Sequence, residues 1–92
     1  MAYLENIEET DLVATTIVAL DKRLEDIRRE QLARNRSALR ELSFEQLQQV
    51  ELLTSAITEK IFLEVATELR HSAAECGAPR ACEMVSLTLG LF

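Results

Sequence analysis

The sequence contains few of the residues that form turns. Only two of its 92 residues are glycine and one is proline, and tryptophan is absent. Antiparallel sandwiches and barrels join many short strands through turns rich in glycine and proline, so this class is excluded. Two isolated glycines also exclude the glycine-rich loops that bind nucleotide phosphates in P-loop and Rossmann proteins.

The charge and hydropathy of the chain exclude several further classes. The net charge of −6 disfavours nucleic acid as a partner, and we expect no direct nucleic-acid contact. No apolar run approaches the 18 residues that a membrane helix needs, and the acidic start does not resemble a secretory signal. Hydrophobic residues make up 48% of the chain, too many for a disordered protein. We therefore expect one folded, cytoplasmic domain with free thiols.

The spacing of apolar residues predicts two long helices and a short third one. The first helix is predicted over residues 10–41, which contain neither glycine nor proline; Thr10 or Asp11 can cap its start, and Tyr3, Leu4 and Ile7 could extend it backward. Ser43 followed by Gln46 is the pattern of a capping box, so the chain should turn there and begin a second helix, predicted over residues 44–72. Gly77 suits the end of that helix, and Pro79 suits the first turn of a third helix over residues 79–89.

Each long helix carries an apolar stripe at intervals of three and four residues. The third helix adds apolar side chains at Met84, Val85, Leu87 and Leu89, and Leu91 and Phe92 follow it. The predicted core and dimer-interface residues are those of the two long stripes: Val13, Ile17, Leu20, Leu24, Ile27, Leu47, Val50, Leu53, Ile57, Ile61, Val65 and Leu69.

The predicted helices are too long for a compact monomer. A helix of about 32 residues is ~48 Å long, whereas a globule of this chain length has a diameter of about 30 Å. Two such helices also leave apolar surface that a short third helix cannot cover. We therefore predict an all-α fold with two long antiparallel helices and a short C-terminal one, paired with a second copy as a dimeric bundle. The alternative is a monomeric three-helix bundle with a bent first helix.

The sequence offers little for catalysis or metal binding. His71, Cys76 and Cys82, with Glu75 or Glu83, could in principle bind zinc, but their spacing matches no common zinc signature. A disulfide between the cysteines and a nucleophilic role for Cys76 are also less expected than incidental thiols near a helix end. We predict no catalytic, cofactor or metal site within the chain.

Basic residues are concentrated in one segment. Residues 21–40 contain seven basic and four acidic side chains, and no aromatic residue there could stack on bases. The default interpretation is a solvated helix face rather than an RNA-binding strip. We expect Glu25 to pair with Arg29, and Arg28 and Arg29 to find glutamates on the second helix or on a partner chain.

The segment from Ala19 to Leu32, ALDKRLEDIRREQL, resembles the spinal helix in the C-terminal dimerisation domain of glutamyl-tRNA reductase. The similarity continues through the turn Leu42-Ser43-Phe44-Glu45-Gln46 and extends over about residues 11–92. The positions that match the family's later segments are Thr54, Ile57, Lys60, Ile61, Phe62, Leu69, Arg70, Ala73 and the stretch from Val85 to Phe92. Leu63-Glu64 stands where the family usually has His-Pro, so the second helix should run on straighter.

The resemblance implies a homodimerisation module. Glutamyl-tRNA reductase uses NADPH to reduce glutamyl-tRNA to glutamate-1-semialdehyde in tetrapyrrole synthesis. The resemblance places its nucleophilic cysteine in an upstream catalytic domain and its NADPH in a separate Rossmann domain. Neither is expected within these 92 residues, so the chain alone should not catalyse the reaction. Two other interpretations are a free-standing helical adaptor or regulator and a small helical enzyme resembling chorismate mutase.

Overall fold

The computed structural model describes the backbone of residues 2–91 and the side chains of residues 11–91, and it confirms an all-α fold. Over these residues there is no strand. The four helices are α1 (Ala2–Arg34), α2 (Arg36–Leu39), α3 (Phe44–Cys76) and α4 (Ala78–Leu89). The two long helices of 33 residues each dominate the structure.

The first helix starts before residue 10, as the alternative with a backward extension predicted, and ends well before the predicted residue 41. It begins at Ala2 and ends at Arg34, and a separate single turn, α2, follows Asn35. Asn35 has backbone angles of φ −101° and ψ 18°, outside the helical region. Its side-chain amide donates to the carbonyl oxygen of Gln31 at 2.8 Å. The Asn35 backbone N–H also donates to that oxygen, at 3.2 Å, so the side-chain bond accompanies the change in backbone angles where α1 ends. The segment lacks glycine and proline, and asparagine favours such non-helical conformations.

The capping box at Ser43 is confirmed. The Gln46 backbone N–H donates to Ser43 Oγ at 3.2 Å, and the Ser43 backbone N–H donates to Gln46 Oε1 at 2.9 Å. These two bonds satisfy backbone donors that the first turn of a helix otherwise leaves without partners. The turn between α2 and α3 therefore needs no glycine.

Gly77 joins α3 to α4 directly. The predicted end of the second helix was residue 72, but α3 continues to Cys76, and α4 starts at Ala78. Gly77 has φ 91° and ψ 146°, a conformation that residues with a Cβ rarely adopt. Its N–H donates to the Ala73 carbonyl oxygen and its carbonyl oxygen accepts from Ala81 N–H, so one residue ends one helix and starts the next. Pro79 lies in the first turn of α4, where its missing N–H costs nothing.

The molecule is an elongated antiparallel hairpin of α1 and α3, with α4 packed against both at one end. Arg28 contacts Glu51 near the turn, whereas Val13 packs against the cluster containing Leu69 at the other end, which fixes the antiparallel arrangement. The extents of 59 × 19 × 18 Å confirm the rod shape expected from the helix lengths. None of the described helices is long and apolar enough to cross a membrane.

The core lies at the three-helix end. Leu69, Ala81 and Cys82 form a buried cluster there. In α4 the buried residues are the small ones, Ala78, Ala81 and Cys82. The larger Met84 and Leu87, named above as apolar residues of the third helix, are exposed. Small side chains allow the α4 backbone to approach α1 and α3, so the larger side chains are turned outward. Phe92, which was also named as an apolar residue near this helix, lies outside the described residues.

Candidate functional site

The predicted core and interface residues separate into three groups along the hairpin. Leu20, Leu24 and Leu69 are buried. Those that are half-buried are Val13, Ile17, Ile27, Leu47, Val50 and Val65. Leu53, Ile57 and Ile61 lie on the solvent side of α3 with 62%, 50% and 41% of their surface exposed. The sequence pattern places all twelve on apolar stripes, but the structure shows that one protomer covers only part of each stripe.

The uncovered part is an apolar channel between α1 and α3, named here the isoleucine groove. Its volume is about 420 Å³, and it is lined mainly by Ile27, Leu32, Leu39, Val50, Ile57 and Ile61. Thr54 and Gln31 contribute polar atoms to its wall. The Thr54 hydroxyl donates to the Val50 carbonyl oxygen within its own helix, so it does not require an outside partner.

The isoleucine groove begins where α4 ends. Arg23 Nε donates to the carbonyl oxygen of Leu89, the last residue of α4, at 3.2 Å. Ile27 lies one turn further along the same face of α1. From the Gly77 end of the rod as far as Arg23, α4 covers the shared face of α1 and α3. Between Arg23 and the turn, no third layer covers that face within the described structure. An open apolar face of this kind on a two-helix rod is typical of a helix-packing interface.

Arg28 links the two long helices beside this groove. It donates to both carboxylate oxygens of Glu25 on its own helix, and its Nη1 donates to Glu51 Oε2 on α3 at 2.7 Å. Arg29 also donates to Glu25 at 3.0 Å, so the predicted ion pair is confirmed. The hydrogen bonds from Arg28 and then Arg29 lower the pKa of Glu25 to about 2, and the same bonds from Glu25 and Glu51 raise the pKa of Arg28.

This arrangement bears on the chorismate-mutase-like alternative. Such an enzyme would need inward-facing cations that are free to bind a dicarboxylate. Arg28 is mostly buried between the helices, but two glutamates already bind it. Its geometry is that of a structural clamp that fixes how α1 lies against α3.

A second cavity near the turn between α2 and α3 was not anticipated from the sequence. We name it the arginine groove: it measures about 560 Å³ and is lined by Arg28, Arg29, Leu32, Ala33, Arg36, Leu39, Arg40, Leu47 and Glu51. Four arginines and one glutamate thus surround a floor of three leucines. The basic segment was visible in the sequence, but the break at Asn35 brings Arg36 and Arg40 to the same cavity as Arg28 and Arg29.

The histidine and the two cysteines do not come together. His71 Nε2 lies 3.1 Å from Glu75 Oε1 on the exposed surface. The exposed Cys76 thiol donates to the Ser72 carbonyl oxygen, whereas Cys82 is buried in the core cluster. Both thiols are free, and among the described side chains no cluster of three potential metal ligands occurs.

Several buried residues were missed by the sequence analysis. Thr16 has no exposed surface, and Ala66, Ala78 and Ala81 are almost fully buried. Thr16 satisfies its hydroxyl by donating to the Leu12 carbonyl oxygen at 2.8 Å, so a polar side chain can occupy the core. The four-residue spacing between Thr16 and Leu20 could have identified Thr16 as a core residue.

Comparisons with known proteins match almost the full length of the chain to one family. The family model for the dimerisation domain of glutamyl-tRNAGlu reductase matches residues 2–92. Glutamyl-tRNA reductase 2 from Koribacter versatilis (strain Ellin345) is 37% identical over 94 residues, which cover 99% of this chain and 21% of the relative. No solved structure matches the chain. The chain therefore belongs to the glutamyl-tRNA reductase dimerisation-domain family.

Proposed function

We propose that the chain joins two protomers of a glutamyl-tRNA reductase through the isoleucine groove. The observation that carries this proposal is that Ile57 and Ile61 line this groove with 50% and 41% of their surface exposed. Leu53, one turn before Ile57 on the same helix, adds a third side chain that is 62% exposed beside the groove. Between Arg23 and the turn, a second copy would cover the shared face of α1 and α3, as α4 covers it at the other end of the rod. Family membership supports the same partner.

The free energy gained by burying these side chains indicates how much surface the contact between protomers must cover. Fully burying an isoleucine or leucine side chain contributes roughly 1.5–3 kcal/mol, so covering the exposed half of one contributes about 1 kcal/mol. Three such residues on each of two protomers give about 6 kcal/mol before the cost of association. Micromolar pairing needs about 8 kcal/mol net, so the contact must also cover the half-buried wall formed by Ile27, Val50 and the leucines.

The parent enzyme's reaction is proposed on the same basis. Since the chain spans 21% of the relative's length, we propose that it serves a cytoplasmic, NADPH-dependent oxidoreductase of tetrapyrrole synthesis. In this proposal, NADPH and glutamyl-tRNA bind the parent's other domains, and this module contributes the pairing of subunits.

A pair of matched substitutions on α3 tests the proposal. Ile57→Asp places a carboxylate in the isoleucine groove, where pairing would bury it without a partner at a cost of several kcal/mol. Leu52→Asp makes a similar change at a more exposed residue that does not line this groove. Light scattering should give about twice 10.4 kDa for the parent chain and for L52D, and 10.4 kDa for I57D.

Circular dichroism separates loss of pairing from loss of folding. Ile57 is half exposed in one protomer, so I57D should keep its helical spectrum while its mass halves. A dimeric I57D together with a monomeric L52D would show that pairing uses a different face of α3.

A further inference from the structure

We propose that the arginine groove binds an acidic, amphipathic helix of a partner protein. The proposal goes beyond subunit pairing because the groove differs from the isoleucine groove in charge. Arg29, Ala33, Arg36, Arg40 and Leu47 line the arginine groove and do not line the isoleucine groove. Arg28, Leu32 and Leu39 form the boundary that the two grooves share.

Two of the groove's arginines are available to a ligand. Arg28 is bound by Glu25 and Glu51, and Arg29 is paired with Glu25. By contrast, among the side chains of residues 11–91 neither Arg36 nor Arg40 forms an ion pair, and both are exposed. They are four residues apart, so their guanidinium groups can reach carboxylates one turn apart on a facing helix. Arginine pairs with carboxylates through two parallel hydrogen bonds, which favours them as ligands.

The floor of the groove decides between classes of partner. Leu32, Leu39 and Leu47 are half-buried and line the cavity between α1, α2 and α3. A nucleic-acid backbone makes no use of such a floor, and the groove has no aromatic lining on which a base could stack. The apolar stripe of a helix buries the leucines, while its flanking carboxylates meet the arginines. An acidic amphipathic helix therefore uses both features of the groove.

The fold itself already contains a third helix packed on the same two helices, held there by buried alanine and cysteine side chains rather than by ion pairs. At the other end of the rod α4 packs against α1 and α3 and makes the third layer of the core. At the turn the described residues provide no such layer, so a cavity of about 560 Å³ stays open. A helix from another protein would cover the leucine floor of that cavity.

A charge-matched pair of double variants tests the proposal. The probe is a synthetic 15-residue helix with leucines along one face and glutamates beside them, and its binding to the 92-residue chain is followed by fluorescence anisotropy. Arg36→Glu with Arg40→Glu should weaken binding at least tenfold. Arg70→Glu with Arg80→Glu, at exposed sites outside the groove, changes the net charge equally and should leave the affinity unchanged.

Two altered peptides separate helix recognition from simple anion binding. Replacing the glutamates by glutamine, or the leucines by serine, should each weaken binding at least tenfold. Equal affinity of the serine peptide would overturn the proposal, because the leucine floor would then contribute nothing. So would equal affinity of the two double variants. The groove would instead be assigned to nucleic acid if the acidic helix does not bind and an RNA transcript does. That binding of RNA would have to depend on Arg36 and Arg40.

Because Arg36 and Arg40 do not line the isoleucine groove, the outcome is distinguishable from that of subunit pairing. The R36E/R40E variant should keep the mass of the parent chain in light scattering, whether that mass is one or two protomers. Loss of peptide binding without a change in mass identifies the arginine groove as a separate surface.

Discussion

Leu69→Ala should destabilise the protein much more than the same substitution at an exposed leucine of the same helix. Leu69 is 1% exposed and lies in the cluster with Ala81 and Cys82, between α1 and α4. Since both neighbouring helices are anchored by further contacts, the space vacated by the side chain cannot close completely. Leucine-to-alanine substitutions in such cores cost about 2–5 kcal/mol, and we expect about 3 kcal/mol here.

Leu63→Ala is the matched control. Leu63 is also on α3 but is 54% exposed, so the substitution removes less buried surface and leaves no enclosed cavity. Helix propensity changes equally in the two variants and cancels in the comparison. We expect less than about 1 kcal/mol for Leu63→Ala.

Thermal unfolding by circular dichroism measures the difference. For a domain of this size, 1 kcal/mol corresponds to about 4–8 °C in Tm, so L69A should melt about 12–24 °C below the parent chain. All proteins are compared at one concentration, because pairing makes Tm depend on concentration. Equal shifts for L69A and L63A would refute the placement of the core at the three-helix end.

Three further substitutions test local features of the chain. Ser43→Ala removes the acceptor of the capping box and should cost about 1 kcal/mol in chemical unfolding. Ser37→Ala, at an exposed residue of α2 that forms no cap, should cost little. Gly77→Ala should cost about 1–3 kcal/mol by the same measurement, because its φ of 91° strains any residue with a Cβ; an unchanged midpoint would contradict the assigned backbone. Glu25 has a folded-state pKa of about 2, below its ordinary value of 4.5, so its contribution to stability is present above pH 4.5 and is lost as pH falls toward 2. Glu25→Gln should flatten this part of the stability-against-pH curve, and an unchanged curve would show that the bonds from Arg28 and Arg29 do not persist in solution.

The features that sequence reasoning predicted well are local. The turn at Ser43 depends on two hydrogen bonds between residues three apart, and both residue types can be read directly from the chain. The elongated shape follows from helix length alone. The family resemblance rests on the order of motifs and is confirmed by the match over residues 2–92.

Sequence reasoning predicted poorly which apolar residues are buried, because burial depends on which helix packs against each residue. Periodicity places Ile57 and Leu69 on apolar stripes, but only the position of α4 determines that Leu69 is buried and Ile57 is half exposed. In α4 periodicity does not distinguish the buried contact residues, which are alanine and cysteine, from the larger Met84 and Leu87, which are exposed.

The end of α1 at Asn35 is a further feature that the sequence did not predict. Neither glycine nor proline marks it, and the backbone angles of Asn35 leave the helical region although its N–H and its side-chain amide both bond to the Gln31 carbonyl oxygen. The arginine groove lies at this break, because its lining combines Arg28 and Arg29 of α1 with Arg36 and Arg40 beyond Asn35. Composition located the basic segment, but the path of the backbone determines which of its arginines share one cavity.

Sedimentation equilibrium of the 92-residue chain at micromolar concentration is the most direct test of subunit pairing through the isoleucine groove. Pairing predicts a mass of about twice 10.4 kDa. A single species of 10.4 kDa across the concentration range would contradict it.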